Sequence, residues 1–293
     1  MNKEDTILYS ILLELQVQKV ASLPLTTGPQ IHAMFLRLLT RDDLVLFTQL
    51  HDVPGVRPFT LSQLLGAEIQ RDHMKLVPGQ AYAIRVTLMD EGLLWDRLST
   101  QMLETGPVDV RIDQASLQLT RLVVNPTSDT TGWVAKTSWR ALSESPVQHS
   151  VTLRFASLTA FNIDGKYYAL FPEPLLVWES LLRVWNYYAP ESFKMEKQAV
   201  RALVQQHVRV EACDHLATQT LHYQKYTQKG FRGLCCYEID GEADSAQKLA
   251  ALAEFARYAG VGYRTVWGMG QVRPVGQEKE HFRRELLREA QVC

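Results

Sequence analysis

The sequence predicts an α+β fold made of two successive halves with the same element order. Three observations carry this. A short run, Ile7 to Leu15, is apolar on both faces, as a central strand is. Stretches with apolar residues at i, i+3, i+4 and i+7 read as helices, and alternating stretches between them read as strands. The resulting order, strand, helix, strand, strand, helix, strand, is that of the ferredoxin-like βαββαβ unit, and it recurs from Val151 onward.

The elements follow in turn. Thr27 and Gln30 have capping-box spacing, Pro29 fits a first helical turn, and Ile31, Met34, Phe35 and Leu38 form an apolar stripe. Leu44 to Leu50 extends as helix or turn until Pro54-Gly55 stops it. Phe59 to Glu68 leads to a strand in which Tyr82, Ile84, Val86 and Leu88 share one face. Leu93 to Leu103 reads as a second helix and Ser116 to Val124 as a strand, with loops at Asn125 to Thr131 and Ser143 to Pro146. In the second half Val151, Leu153 and Phe155 open a strand. Leu175 to Tyr187 is its helix, with an added helix over Phe193 to Gln205. Strands are expected at Val208 to Ala212, Thr218 to Tyr226 and Gly233 to Ile239. Asp244 with Gln247 caps a core helix carrying Leu249, Leu252, Ala253 and Ala256, and Gly270 to Val275 is the last strand. No residue-level repeat relates the halves, so the duplication rests on element order. The expectation is two tandem ferredoxin-like (RRM-like) domains, 1–145 and 146–293.

The chain has 293 residues, 46% of them hydrophobic, enough for a substantial core. Its apolar runs are too short to span a bilayer, and the start lacks a basic region followed by an apolar one, so a cytoplasmic protein is expected. Cys213, Cys235, Cys236 and Cys293 form no Cys-x-x-Cys pair, and reduced thiols are the expectation. A net charge of −1 argues against nucleic-acid binding through bulk electrostatics, so any such site must be local. Glu278 to Arg288, with Glu280 and Arg284 at i,i+4, reads as a solvated helix.

The most informative segment is Tyr258 to Val272, in which Gly260, Gly262, Gly268 and Gly270 surround Arg264, Tyr263 and Trp267. Two readings are open. The glycines can bring backbone N–H groups to a phosphate, with Arg264 adding charge. Alternatively Gly260 ends a helix, and Gly268 and Gly270 lie in a bent strand. The spacing is neither that of a P-loop nor that of a strand-first dinucleotide fingerprint. Two histidines suit acid–base work near neutral pH: His32, early in the first helix, and His51, in a loop-forming stretch before Pro54-Gly55. On its own, each is more often a surface or satisfied structural residue; the acid–base reading requires the two to converge. Cys213, His215 and His222 lack a second ligand pair at zinc spacing. Signatures of zinc deaminases, two-metal nucleases and two-histidine phosphoesterases are missing. Trp178, Trp185, Tyr187 and Tyr188 read as a helix's packing face.

Three separated blocks carry a family resemblance. The first is Gly28-Pro-Gln-Ile-His-Ala-Met-Phe-Leu36, running on to Leu50-His51-Asp52 and Arg57-Pro58-Phe59-Thr60-Leu61-Ser62. The second spans Val151-Thr-Leu-Arg-Phe155, Thr159-Ala160-Phe161, Phe171-Pro172-Glu173-Pro174 and Ser180 to Trp185. The third is the glycine-rich segment. Together they resemble the CRISPR-associated repeat-RNA endoribonucleases, the Cas-six family of RAMP proteins. The resemblance implies metal-independent cleavage of CRISPR repeat RNA, in which the 2′-hydroxyl attacks the adjacent phosphate, leaving a 2′,3′-cyclic phosphate and a 5′-hydroxyl. It implies His32 as general base or its positioning partner, His51 as general acid and Arg57 as stabiliser of phosphorane charge. It also implies Gly260, Gly262, Arg264, Gly268 and Gly270 as RNA-binding, with no metal and no cofactor. The partner is CRISPR repeat RNA; association with an effector complex and a homodimer stay open. Two departures are visible. The tyrosine some members carry further along the first helix is replaced by Phe35-Leu36, and a Thr-Pro-Thr-Ala-Phe sequence stands here as Ser157-Leu158-Thr159-Ala160-Phe161. The competing readings are a non-catalytic guide-RNA-binding subunit of an effector complex and an RNA chaperone, the latter disfavoured by the near-zero net charge.

Overall fold

A computed structural model describes residues 3–41, 43–50, 55–90, 92–223 and 226–276, together with the backbone of His51. The expected helix over Glu278 to Arg288 and Cys293 lie outside the described residues.

The first half runs β1 (Ile7–Val17), β2 (Ala21–Pro24), α1 (Gly28–Thr40), α2 (Leu44–His51), β3 (Phe59–Leu61), β4 (Glu68–Ile69), β5 (His73–Leu76), β6 (Tyr82–Leu88), α3 (Leu93–Thr105), β7 (Val108–Ile112), β8 (Ala115–Val123), β9 (Ala135–Ser138) and α4 (Trp139–Ser143). The second runs β10 (Ser150–Thr159), β11 (Phe161–Ile163), β12 (Tyr167–Ala169), α5 (Pro174–Tyr188), α6 (Lys197–His207), β13 (Val208–His222), β14 (Thr227–Ile239), α7 (Ala243–Ala259) and β15 (Val272–Val275). The first sheet has the order β3-β6-β1-β8-β7, with β9 also on β1; the second has β13-β14-β10-β15. Within each, the pairings are antiparallel. In both halves the opening strand is flanked by the third and fourth strands of its βαββαβ unit, and the second strand lies outside the third. The duplication that element order implies is thus repeated in strand order.

Alternation decides what each sheet face covers. Ile11, Leu13 and Leu15 of β1 and Ile84 and Val86 of β6 bury against Ile31, Phe35 and Leu38 of α1 and Leu94 and Leu98 of α3. In the second half Val151, Leu153 and Phe155 of β10 pack with Trp178, Leu181 and Trp185 of α5 and Leu249, Leu252 and Ala256 of α7. The indole N–H groups of this apolar core are satisfied by carbonyls, Trp178 on Leu249 (3.0 Å) and Trp185 on Phe193 (2.8 Å).

The other face of the first sheet meets the second half, and its centre is a guanidinium. Arg85 of β6 is 1% exposed. Its Nε donates to Ser10 Oγ (2.9 Å), its Nη1 to Gln271 Oε1 and its Nη2 to the Arg257 carbonyl, while Cζ lies 4.3 Å from the Trp133 ring centroid. Burial, followed by repulsion from Arg257, pushes its pKa well below the usual arginine value. The Gln271 amide completes the tie by donating to the Leu61 carbonyl (3.0 Å).

Several sequence expectations are corrected. Thr27 does not cap α1 through a capping box; its N–H and hydroxyl both reach Gln63 Oε1, at 2.9 and 3.1 Å. Asp244 does not cap α7 but sits in its first turn, where it pairs with Lys248 (2.6 Å), and Gln247 donates to the Ser145 carbonyl (3.1 Å). The separate strands expected at Val208 to Ala212 and Thr218 to Tyr226 are one strand, β13, with register shifts at Val210/Ala212 and Asp214/Ala217; it ends at His222. The last strand starts at Val272 because Gly270, at φ 63°, turns the chain before it. Tyr187 is 55% exposed, since it lies about 200° around the helix from Trp185, off the packing face. Among the described residues no helix is long and apolar enough to cross a membrane.

Arg85→Met leaves Gln271 Oε1 and the Arg257 carbonyl without their donor in a buried junction. We expect a loss of roughly 3–5 kcal/mol in urea unfolding. A loss below about 1 kcal/mol would mean that the guanidinium is dispensable.

Candidate functional site

The start of α1 and the glycine-rich segment are joined before any ligand is considered. Gln63, which receives both Thr27 donors on its amide oxygen, donates through Nε2 to the Trp267 carbonyl (2.8 Å). A Cβ on Gly28 would lie 1.9 Å from that same carbonyl oxygen, so the first turn of α1 can approach only as glycine. Gly268 bridges Ser62 in parallel fashion on the same side. One turn into α1, His32 is half-buried with its ring 5.9 Å from that of Phe59. His51 ends α2, and its side chain lies outside the described residues.

Arg57 lies just before β3. The Tyr188 hydroxyl, at the end of α5, donates to the neighbouring Val56 carbonyl, and the Pro58 carbonyl accepts from Met89 N–H (2.8 Å). Burial raises the Tyr188 pKa, and the positive charge of Arg57 works against that rise.

In the glycine-rich segment both sequence readings need revision. Gly260 does end α7, its N–H on the Ala256 carbonyl (3.0 Å). Gly262 N–H donates to Ser180 Oγ (2.8 Å) and Gly270 N–H to the Leu158 carbonyl (2.9 Å). These three N–H groups are engaged within the protein, so the phosphate-cradle rationale does not hold for them. The glycines serve the segment's own close packing: Val261 N–H reaches the Gly270 carbonyl (2.9 Å), and a Cβ on Gly270 would sit 2.1 Å from the Val261 oxygen.

Arg264 occupies the left-handed region, at φ 58°. Its guanidinium carbon lies 4.4 Å from the ring centroid of Tyr226, 4.6 Å from Trp267 and 4.8 Å from Tyr263. Tyr223 stacks on Tyr226 with centroids 4.8 Å apart, and Tyr168 tilts against Tyr263 at 5.7 Å. The three rings satisfy the cation's faces but not its N–H groups; Nη1 is buried without a hydrogen-bond partner among the described residues. Tyr263 and Trp267 thus stack on Arg264.

These pieces meet in a cleft of about 200 Å³ between the halves, lined by Arg57, Thr60, Arg183, Gly260, Gly262 and Arg264. Three arginines face it and, among the described residues, no carboxylate does, so the cleft favours an anion. Of the sequence candidates, Arg57, Gly260, Gly262 and Arg264 converge here. His32 stands next to it through Phe59, whose neighbour Thr60 is in the wall. Gly268 and Gly270 lie behind, in the packing that holds the loop. Sequence reasoning missed Arg183 and Gln63. Neither carried a local signal: Arg183 shares its helix with Glu179 and Asn186, and nothing in its spacing sets it apart.

Comparison with known proteins gives a consistent result. The family model for the CRISPR Cas6 N-terminal domain matches residues 7–144, and that for CRISPR-associated endoribonuclease Cas6 matches residues 153–272. Among solved structures, Thermus thermophilus Cas6 superposes with a TM-score of 0.69 at 26% identity, covering 92% of this chain and 98% of that one. A Cas6 product complex gives a TM-score of 0.77 at 27% identity, covering 92% and 100%. A Cas6 substrate-mimic complex gives 0.67 at 26% identity, covering 92% and 100%. Among curated proteins no significant match was found.

Gly270→Ala puts a Cβ into the left-handed region and against the Val261 carbonyl. The expected outcome is a loss of at least about 2 kcal/mol in urea unfolding, before any ligand is added. Unchanged stability would return Gly270 to a ligand-contacting role.

Proposed function

This chain belongs to the Cas6 family, and on that premise we propose that it is an endoribonuclease that cleaves CRISPR repeat RNA without a metal ion. The RNA's own 2′-hydroxyl attacks the adjacent phosphate, the 5′-oxygen departs, and the products carry a 2′,3′-cyclic phosphate and a 5′-hydroxyl. The observation that carries this reading is the cleft in which Arg57, Arg183 and Arg264 converge from both halves beside the helix of His32.

The reaction moves one proton off the attacking 2′-oxygen and one onto the leaving 5′-oxygen, while negative charge builds on the phosphorane. His32 is the general base or positions it, and His51 is the general acid, each contributing about 10²–10⁴-fold. Arg57 meets the developing charge on the non-bridging oxygens, where a fixed cation stabilises the transition state more than the ground state. Arg264 brings a guanidinium already held flat by three rings, and its unpartnered Nη1 is a donor that a phosphate oxygen would satisfy. Gly260 and Gly262 support RNA binding by fixing the loop's path, since a Cβ there would meet the Gly270 and Ala160 carbonyls, and so set where Arg264 meets the RNA. Gly268 and Gly270 support RNA binding by holding the loop's shape. In this assignment 1–145 supplies the acid–base groups and 146–293 the glycine-rich binding loop, with cytoplasmic repeat transcripts as substrate.

The test is cleavage of labelled repeat RNA in excess EDTA. Wild-type protein should cut, His32→Ala and His51→Ala should each lose about 10²–10⁴-fold, and a 2′-deoxy residue at the scissile position should block cutting while leaving binding intact. Activity lost in EDTA and restored by magnesium would overturn the metal-free mechanism. Tight binding with no cutting by wild type would instead indicate a guide-RNA-holding subunit.

A further inference from the structure

We propose that a groove on the first half, remote from the cleft, is a second RNA-binding site in which Lys19, Arg37, Arg41 and Arg111 hold phosphates of the strand leading away from the scissile bond. The inference rests on the RNA-cleaving reading and extends it to a surface that reading does not use. The groove, about 830 Å³, opens between the C-terminal half of α1, the β1–β2 connection and the β7–β8 edge.

Charge is the first argument. Among the described residues the groove's walls carry those four cations and one carboxylate, Asp109, in a chain whose net charge is −1. Several arginines elsewhere on the surface meet carboxylates: Arg97 with Asp43, Arg121 with Glu14, Arg140 with Glu4 and Asp5, Arg201 with Glu179. Among the described residues none of the four groove cations does so. Two are instead oriented by neutral acceptors, which fix a guanidinium without cancelling its charge. With the Gln101 amide nitrogen on the Leu38 carbonyl (2.8 Å), its oxygen accepts from Arg41 Nη2 (2.7 Å) and Nε (3.0 Å), and Gln101 itself is 9% exposed. Arg111 Nε donates to the Asp113 carbonyl (2.8 Å) and Nη2 to Gln114 Oε1 (2.9 Å).

Position is the second argument. Arg37 and Arg41 are exposed, four residues apart on α1, a rise of about 6 Å along one stripe. The groove therefore lies along the C-terminal part of the helix whose first turns carry His32, a proposed catalytic group. Arg41 is also held at φ 34°, in the sterically disfavoured region, where its helix ends. The floor between the cations is apolar, formed by Val17, Met34 and Leu38, and can take the face of an unpaired base.

The experiment uses the full chain, a double variant Arg37→Glu with Arg111→Glu, the full-length repeat transcript, and a fragment trimmed to the nucleotides around the scissile bond. Urea unfolding of the variant serves as the folding control. The double variant should bind the full-length transcript at least about ten-fold more weakly, with a salt slope shallower by about 1.4, two single-strand phosphate contacts' worth. Cleavage of the trimmed fragment should be unchanged. Wild-type affinity and slope for the full-length transcript would overturn the proposal and leave the groove to an acidic protein segment. Equal losses on both RNAs would overturn it in favour of an effect at the cleavage centre. Wild-type protein that neither binds nor cuts either RNA would remove the RNA-processing reading and the groove with it.

Discussion

The two halves are tied by one buried cation that, among the described residues, has no carboxylate hydrogen-bonded to it. Arg85 sits in the junction between the sheets and is held by a hydroxyl, an amide oxygen, a main-chain carbonyl and an aromatic face. An arginine does not shed its proton, so its burial is tolerated only if every one of these partners stays in place. Its acceptors come from β1, from the end of α7 and from Gln271, which also grips the end of β3. Arg257 and Arg273 both donate to the Gly132 carbonyl, at 3.0 and 2.6 Å, extending the arrangement to the strap before β9. The cost of breaking such a set is steep and all-or-none, which fixes the two halves in one relative arrangement. Arg57 from one half and Arg264 from the other can then face a common space without a ligand to draw them together.

The glycine-rich segment shows how one sequence signal can be right about place and wrong about mechanism. Four glycines in eleven residues mark a chain that must pass close to something. Here that something is the protein itself: Val261 against Gly270, Gly262 against Ala160, and Gly28 against Trp267. The segment is a stiff, self-packed loop, and what it offers outward is the guanidinium of Arg264, braced by Tyr226, Tyr263 and Trp267.

Much of the fold was legible because period-2 and period-3.6 patterns act locally. Ile11, Leu13 and Leu15 announce the buried face of β1, and Ile31, Phe35 and Leu38 that of α1, whatever surrounds them. The errors lie where long-range partners decide. Thr27 and the Asp244–Gln247 pair carried good capping signals, but Gln63, 36 residues from Thr27, and the Ser145 carbonyl, 102 residues from Gln247, offered competing partners. The break expected within β13 came from residues that bulges absorb without ending the strand. For the site, residue type and spacing pointed to Gly260, Gly262 and Arg264 and the family resemblance to Arg57, whereas Arg183 enters the cleft only because α5 is turned toward it. No local pattern encodes that rotation.

The second sheet ends in β13, whose outward edge has no strand beside it among the described residues. A flat edge of 15 residues would be a template on which further copies could stack during synthesis or storage. The two register shifts and the left-handed His215, at φ 49°, break that edge into short, differently twisted pieces. Irregularities that look like defects in the ladder therefore guard solubility, and straightening them to regularise the strand would make the chain prone to aggregate rather than more stable.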